Sequence, residues 1–573
     1  MKLPAAVIHE ASPSEEITEQ INLRAKRRKA YQEHGIEEEE DVESSQVPLI
    51  DYWNCIRHLA LFLPDYGFSK DKLVQMWIAE ECIKLEVTKR MEDVGNLCFD
   101  FLLNQNIIVP SKPTAAYLSH YQVNDKSKIA RLIIQRGDYV RIRDGNELDT
   151  TNQEILHLTW DCRKHDHALV DDALTKFKKL RTLLVVNLCI PRNKMCNLRF
   201  PHLKLLKTLD LSSSNITHVP CSIEYLESLR FLDISNTPID QLPQSIDLLL
   251  SLQTLRLRDC PGIHELPWGF GSLINLRHLD LQIFGQLRVM PSGMGNLTKL
   301  QTLDAFIVGE TDDGCGITEL KNMNEIAGSF SILKLHNVSN AEEAKAAALC
   351  DKKHIDDLYL YWGSVENPDA TDILEYLQPH FNLKFLHISH YCGSKLPSWI
   401  TNPSFVDLST IFLIGCINCD TLPSFGELPS LKSLDFVEMT SVRDINSLFC
   451  RKSETRVKVA FPKLEKLSID DMPNLVEWSG MEDGDFPCLK DVTIGSCPEL
   501  ATLPSLSHLR SLESLEINDC EKMISLPELP ASVKDLRVRC CPKMSKRLYY
   551  KDGRREIAHV NNIWIDLEKL SLH

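Results

Sequence analysis

The chain repeats one phrase, and the interval of the repetition decides what it can fold into. From Leu205 to Leu257, the stretch LLKTLDLSSSNITHVPCSIEYLESLRFLDISNTPIDQLPQSIDLLLSLQTLRL says nearly the same thing three times. Copies aligned on their first leucine begin at Leu206, Leu229, Leu252, Leu276 and Leu300, spaced by 23, 23, 24 and 24 residues, each reading L-x-x-L-x-L or a close variant. That phrase at a period of about 20 to 29 residues is the signature of a leucine-rich repeat, in which one short strand per turn lines the inner face of a horseshoe. Side chains alternate along a strand, so Leu209 and Leu211 are expected in the core and Asp210 between them on the other face. No repeat can bury its leucines alone. Stacked neighbours share one continuous core, and the array folds only as an array.

The register continues at Phe330, Ile355, Leu383, Leu408, Leu431, Leu464, Leu489, Leu512 and Val533, with Leu180 and Ile155 upstream, for about sixteen starts over residues 151–573. "LPQSI", "LPWGF" and "MPSGM" mark the returning turns. Five cysteines, Cys260, Cys416, Cys497, Cys520 and Cys541, fall three residues after the last apolar position of a strand. This is the N/C slot of the repeat, where a small, weakly hydrogen-bonding side chain packs under the turn, so reduced structural thiols are expected. Cys416-x-x-Cys419 has no second pair or histidine at ligand spacing, and no metal ligands are assigned.

Charge and hydropathy narrow the function. Lys and Arg number 64 against 80 Asp and Glu, a formal charge of -16, which opposes general nucleic-acid binding. No apolar run approaches the roughly 18 residues of a membrane span, and the N-terminal start is too short in apolar residues for a secretory signal. A cytoplasmic location is expected, and the basic run Arg24–Lys29 also allows a nuclear one. Histidines such as His278 and His387 fall at outward strand slots, where a solvated surface suffices. No constellation has the spacing that nucleophilic or metal chemistry demands, and a non-enzyme is expected.

Residues 1–48, with "RAKRRK" and "EEEED", read as a charged segment, helical or disordered. Residues 49–150 read as a compact domain of three helices and a small sheet, of winged-helix type. Ser69 is a candidate N-cap, and Leu73, Met76, Trp77 and Ile83 form one core stripe. Val94, Leu97, Cys98, Phe101 and Leu102 form another, and "YLSHYQVND" and "YVRIRD" supply strands.

"CIRHLALFLPDYGFSKDKLVQMWIAEECI" (Cys55 to Ile83) and "MEDVGNLCFDFLLNQNIIVPS" resemble consecutive segments of plant nucleotide-binding leucine-rich-repeat disease resistance proteins of the coiled-coil class. Within the repeats, "GSFSILKLHNVSNAEEAKAAALCDKKHIDDLYLYW", "LQPHFNLKFLHISHY" and "CINCDTLPSFGELPSLKSL" resemble phrases particular to the same family. The resemblance implies a role in plant innate immunity, with the repeats detecting pathogen effectors. It also implies a nucleotide switch that binds ADP or ATP, but the family's phosphate loop, G-x-x-x-x-G-K-[ST], is missing from this sequence. Where the family carries M-H-D or V-H-D, whose His contacts the ADP diphosphate, this chain has Val123, Asn124 and Asp125. Asn cannot carry an imidazole's charge, so these positions are expected not to hold nucleotide, and no cofactor is expected. The chain reads as a receptor without its nucleotide-binding core.

Two further functions fit the same modules: a substrate adaptor of a ubiquitin ligase, and a truncated gene product without function. The candidate partners are proteins: an effector, a guarded host protein or another immune receptor. The candidate binding residues are the slots between inward leucines, Asp210, Asp233, Arg256, Asp280 and Asp304, aligned on adjacent strands roughly 5 Å apart. Rimmed by Ser212, Asn236 and Arg258, this column is expected to receive a basic surface, either "RAKRRK" or a foreign protein. Hydrogen bonding along the ladder is the structural explanation for the same aspartates.

Overall fold

The computed structural model describes residues 52–570 apart from 64–65, 85–88, 112–119, 125–138, 143–154, 163–176, 187–199, 201, 282–286, 311–314, 364, 452–458, 551–554 and 567. The charged segment 1–48, both its charge runs included, lies outside the described residues. The chain divides into two compact units between Pro261 and Gly262.

The first unit opens with helices α1 (Tyr52–His58), α2 (Lys70–Ala79) and α3 (Met91–Asn104). Ser69 caps α2, its Oγ accepting from the Lys72 N–H at 3.2 Å. Leu73, Met76, Trp77 and Ile83 are buried as the stripe predicts. On α3 the stripe is rotated from the expected one. Val94, Cys98 and Leu102 are buried, but Leu97 is 47% exposed and Phe99 is fully buried in its stead. The cause is Gly95, where an added Cβ would lie 2.5 Å from Val74 Cγ1: the missing side chain lets α2 approach on that side and turns Leu97 outward. Strands β1 (Ile108–Pro110) and β2 (Tyr121–Val123) pair antiparallel and complete the winged-helix arrangement.

The "YVRIRD" strand, β3 (Tyr139–Ile142), belongs elsewhere. It pairs parallel with β4 (His157–Asp161), so the repeat sheet begins upstream of residue 150. The sheet continues through β5 (Thr182–Val186), β6 (Thr208–Asp210), β7 (Phe231–Asp233) and β8 (Thr254–Arg256), all parallel. Leu158, Leu183, Leu209, Leu232 and Leu255 stand in one row and are fully buried. The returning 3-10 turns Cys221–Tyr225 and Gln244–Leu248 each follow a proline and bury one isoleucine, Ile223 and Ile246. After each strand one residue adopts positive φ, Ser213, Asn236 and Asp259, which aims the next side chain inward. Those next residues are Ser214, Thr237 and Cys260, all buried; Ser214 donates to the Leu211 carbonyl, and Thr237 and Cys260 both donate to that of Ile234.

In the second unit, strand His278–Asp280 pairs with Thr302–Leu303, and a twelve-stranded sheet runs from Ala305–Ile307 to Glu568–Lys569. Its core row is Leu358, Leu386, Ile411, Leu434, Leu467, Val492, Leu515, Leu536 and Ile563. Phe330 pairs with Leu358, so it fills the second leucine position and not the first. The register shifts between Gly328 and Ser329, where Ala327 and Gly328 stand in place of a large apolar residue and hide the start. One repeat follows Val533: Val560-x-x-Ile563-x-Ile565 forms strand Asn562–Ile565. Cys416, Cys497, Cys520 and Cys541 are buried in the turn slot, with Cys497 and Cys541 donating to Gly495 and Arg539 carbonyls at 3.0 and 3.1 Å. Every cysteine among the described residues is free. No helix among those residues is long and apolar enough to cross a membrane.

Candidate functional site

The register places Asp210 beside Asp233 and Asp233 beside Arg256, as the repeat spacing requires. What the repeat alone does not foresee is their burial: they are 2%, 2% and 6% exposed. Helix α2 covers them. Lys72 Nζ lies 2.8 Å from Asp210 Oδ2 and 2.8 Å from Asp233 Oδ2, and it donates to Tyr66 Oη at 2.9 Å and Ser212 Oγ at 3.1 Å. Tyr66 donates to Asp210 Oδ2 at 2.7 Å, and Arg256 donates to Gln75 Oε1 at 2.8 Å while its Nε lies 3.5 Å from Asp233. The other oxygen of each aspartate serves the repeat: Asp210 Oδ1 accepts from Ser212 N–H and Asp233 Oδ1 from Ser235 N–H. The slot residues thus close a turn with one oxygen and hold the winged helix with the second. In this conformation the first three positions of the column face the chain's own α2 and are closed to a foreign protein, and the basic group they receive is Lys72.

Two cations and two carboxylates make the cluster neutral, the condition for burying charge at tolerable cost. Burial alone would raise the Asp233 carboxyl, but Lys72 and Arg256 outweigh it and hold it below the usual range. Burial likewise works against the Lys72 ammonium, and Asp210 and Asp233 reverse the effect, keeping it charged.

The contact extends over the face of the first strands. Glu80, next after α2, accepts from the hydroxyls of Thr182 and Thr208, both at 2.7 Å, and Glu81 pairs with Lys207 and Arg230. Thr159 donates to the Leu61 carbonyl and Arg141 to that of Ala60. Leu184 and Phe231, outward on β5 and β7, are buried in the apolar cluster of the winged helix. Four positions, Lys72, Gln75, Glu80 and Tyr66, carry contacts that sequence reading missed. Their only signal was polar residues on a helix face next to a core stripe, which reads equally as solvated surface.

In the second unit, Asp280 is buried and Asp304 half-buried at the break between strands Thr302–Leu303 and Ala305–Ile307. His278 is buried, not solvated, its Nδ1 2.9 Å from Thr302 Oγ1. Further along, the same inter-leucine slot carries Tyr359, His387 and Phe412 in register. With Tyr361 and Phe385 they form a half-buried aromatic patch, with ring centroids 5.1 to 5.6 Å apart for Tyr359–Phe385, Tyr359–His387, Tyr361–His387 and His387–Phe412. Beyond it the slot turns polar: Asp435 paired with Lys466 at 3.0 Å, then Ser468, Thr493, Glu516 and Arg537.

Val123 closes the hairpin opposite Ile108, and Asn124 Nδ2 donates to the Asn106 carbonyl at 2.9 Å, so both have structural employment. Asp125 lies outside the described residues. Cys416 and Cys419 are both buried, the Sγ of Cys419 donating to Gly393 O.

Residues 61–126 match the family described as disease resistance protein winged helix domain. Residues 317–439 match R13L1/DRL21 LRRs, and residues 382–521 the RPS2-like leucine-rich repeats of plant disease resistance proteins. Among curated proteins, the chain is similar to a disease resistance protein of Arabidopsis thaliana, 31% identical over 529 residues, covering 86% of this chain and 36% of that one. It is 33% identical over 492 residues to the RPP13-like disease resistance protein 1 of the same plant, covering 81% of this chain and 46% of the relative. It is 34% identical over 231 residues to disease resistance protein RGA2 of Solanum bulbocastanum, 38% of this chain and 22% of that one. The chain spans less than half the length of each of these relatives.

Proposed function

We propose, for a chain that carries the winged helix and leucine-rich repeats of plant disease resistance proteins, a recognition role in plant innate immunity without catalysis. The repeats bind protein, whether a pathogen effector, a guarded host protein or another immune receptor, in the cytoplasm. The proposed role is recognition by the repeats, without an ATP switch among residues 1–573, where no phosphate loop occurs. The observation that carries the proposal is the aromatic patch around Tyr359, His387 and Phe412: large, rigid side chains left half-exposed on the sheet face, the residue types that anchor protein interfaces. The acidic column of the first unit serves self-contact instead.

The test is proximity labelling in leaf tissue with the tagged full chain and a Tyr359→Ala/Phe412→Ala variant. Proteins enriched by the parent are expected to be lost with the variant and kept with Tyr225→Ala, a change at an exposed returning turn. Identical captures by parent and double variant would remove the patch from the recognition surface. Enrichment of a ubiquitin-ligase scaffold would favour the adaptor function.

A further inference from the structure

Three side chains from separate stretches converge where the winged helix meets the first repeats. His58 ends α1, Glu80 follows α2, and His157 opens β4. One imidazole nitrogen from each histidine and one carboxylate oxygen lie within 4.8 Å of one another. His58 is 1% exposed, and neither ring nitrogen has a hydrogen-bond partner. Leaving such a group buried and unsatisfied is destabilising, so its retention points to a ligand.

The hydrogen bonds around His157 fix which of its nitrogens is available. Thr182 has one hydroxyl proton and gives it to Glu80 Oε1 at 2.7 Å. Its oxygen, 2.8 Å from His157 Nδ1, must therefore accept from an Nδ1–H. That leaves the lone pair on Nε2, the tautomer a metal-ligating histidine needs, with the hydroxyl as its outer partner. The ring is held flat against Tyr139, centroids 4.3 Å apart.

We propose that His58, Glu80 and His157 bind a divalent transition-metal ion, zinc being the best match, which fastens the winged helix to the first repeats. Two imidazole nitrogens and one carboxylate are a donor set zinc accepts, with a fourth position left for water. Tetrahedral ligands at bond lengths of about 2.1 Å stand about 3.4 Å apart, so from separations within 4.8 Å no pair needs to close by more than about 1.4 Å on binding. Burial, with smaller contributions from His157 on His58 and from Arg181, Arg57 and Lys207 on His157, holds both imidazoles neutral down to about 3. Neutral rings need release no proton to a metal. Burial also raises the Glu80 carboxyl, a cost that a cation would offset. Of the cations facing His157, Lys207 is engaged by Glu81 and Arg57 lies over the Tyr139 ring. Spacings of 22 and 77 residues between the ligands match no metal motif, which is why the sequence is silent here.

The experiment is titration of the metal-stripped full chain with Co2+ and Zn2+, following visible absorption and melting temperature. One equivalent of Co2+ is expected to give tetrahedral bands without the thiolate charge-transfer absorption that any cysteine site would add. Zinc is expected to raise the melting temperature and to slow hydrogen exchange in α1. His58→Gln and His157→Gln should abolish both effects, and Thr182→Val should weaken binding by about 10–100-fold, as loss of an outer partner does. Circular dichroism gates the variants for folding, and the cobalt spectrum of the parent stands without them. A thiolate spectrum, no binding by the parent, or undiminished binding by folded His58→Gln would overturn the proposal.

Discussion

The slot between the two inward leucines has opposite fates in the two units. On β6 to β8 it holds Asp210, Asp233 and Arg256, buried under α2 and neutralised by Lys72. On strands His354–Tyr361, Phe385–Ser389 and Thr410–Ile414 it holds Tyr359, His387 and Phe412, half-exposed in an aromatic patch. The strands are alike in both: parallel, with leucine or isoleucine on either side of the slot, and a positive-φ residue follows the strands of Asp210, Asp233, Arg256, His387 and Phe412. The repeat therefore fixes where the slot points, while whatever packs above it fixes whether it is wet. A charge at a covered slot demands a counter-charge from the cover. An aromatic ring at an open slot is stable alone and gains from a partner.

The largest way to break this comparison is to remove the counter-charge. Lys72→Met leaves two carboxylates with Arg256 as the only cation paired with them among the described residues, and is expected to cost about 3–5 kcal/mol, the loss seen when one partner of a buried pair is deleted. Adding Asp210→Asn and Asp233→Asn to the same chain should recover most of it, because the amides still accept from Ser212 and Ser235. Denaturant unfolding monitored within the first unit reads both. If Lys72→Met proves as mild as Lys204→Met, which ends an exposed pair with Glu227, the first slot is not the covered site described here.

Acid gives a smaller effect with the same origin. The folded Asp233 carboxyl titrates below its unfolded value, so its contribution is fully present above about 3.9 and is lost as pH falls through the lower folded value. Lys72 and Arg256 face it, Asp210 stands beside it in register, and Tyr66 is bonded to Asp210. Hydrogen exchange in α2 is expected to quicken below pH 4, and less so in Asp233→Asn. The effect is smaller than that of Lys72→Met because protonation removes one charge and leaves Lys72 paired with Asp210. Equal acid sensitivity in the variant would assign the loosening to other carboxylates.

A third comparison tests what the units share. Thr237 and Cys497 fill the same turn slot, one per unit, each donating to a carbonyl. Alanine at either is expected to cost about 1 kcal/mol, the worth of one such hydrogen bond. Native alkylation should spare Cys260, Cys416, Cys497, Cys520 and Cys541 and label the exposed Cys221, Cys350, Cys488 and Cys540. Rapid labelling of the first group would contradict the shared turn.

These slots also show what a sequence can reveal. Period and residue type located the strands from Leu206 to Val533 and the turn cysteines, because burying a leucine every few residues leaves a mark that no other arrangement imitates. Val560-x-x-Ile563-x-Ile565 carries the same mark more faintly, with valine and isoleucine for leucine; Phe330 reads as a start because Ala327 and Gly328 stand where the repeat otherwise has a large apolar residue. The rotation of α3 rested on one glycine, and His58, Glu80 and His157 meet only through tertiary contact. Lys72 was the least legible. Two positions before Val74 and one before Leu73, it looks like the wet edge of an amphipathic helix, and only the packed repeats reveal that this edge is covered.

The smallest expected effect sharpens the comparison most. Tyr359→Ala and Phe412→Ala remove rings that are half-exposed, one against Phe385 and the other against His387, so little buried surface is lost. Each should change stability by less than about 1 kcal/mol, the range of substitutions away from the core. Phe231→Ala, at a slot that the winged helix covers, should cost about 3–5 kcal/mol. The same chemical change thus separates the two faces by what lies above them. A loss at Tyr359 as large as at Phe231 would mean that the patch is packed scaffold in the second unit, and that its exposed area serves stability before recognition. A negligible loss, together with lost protein capture, would leave recognition as the reason for placing aromatic rings there.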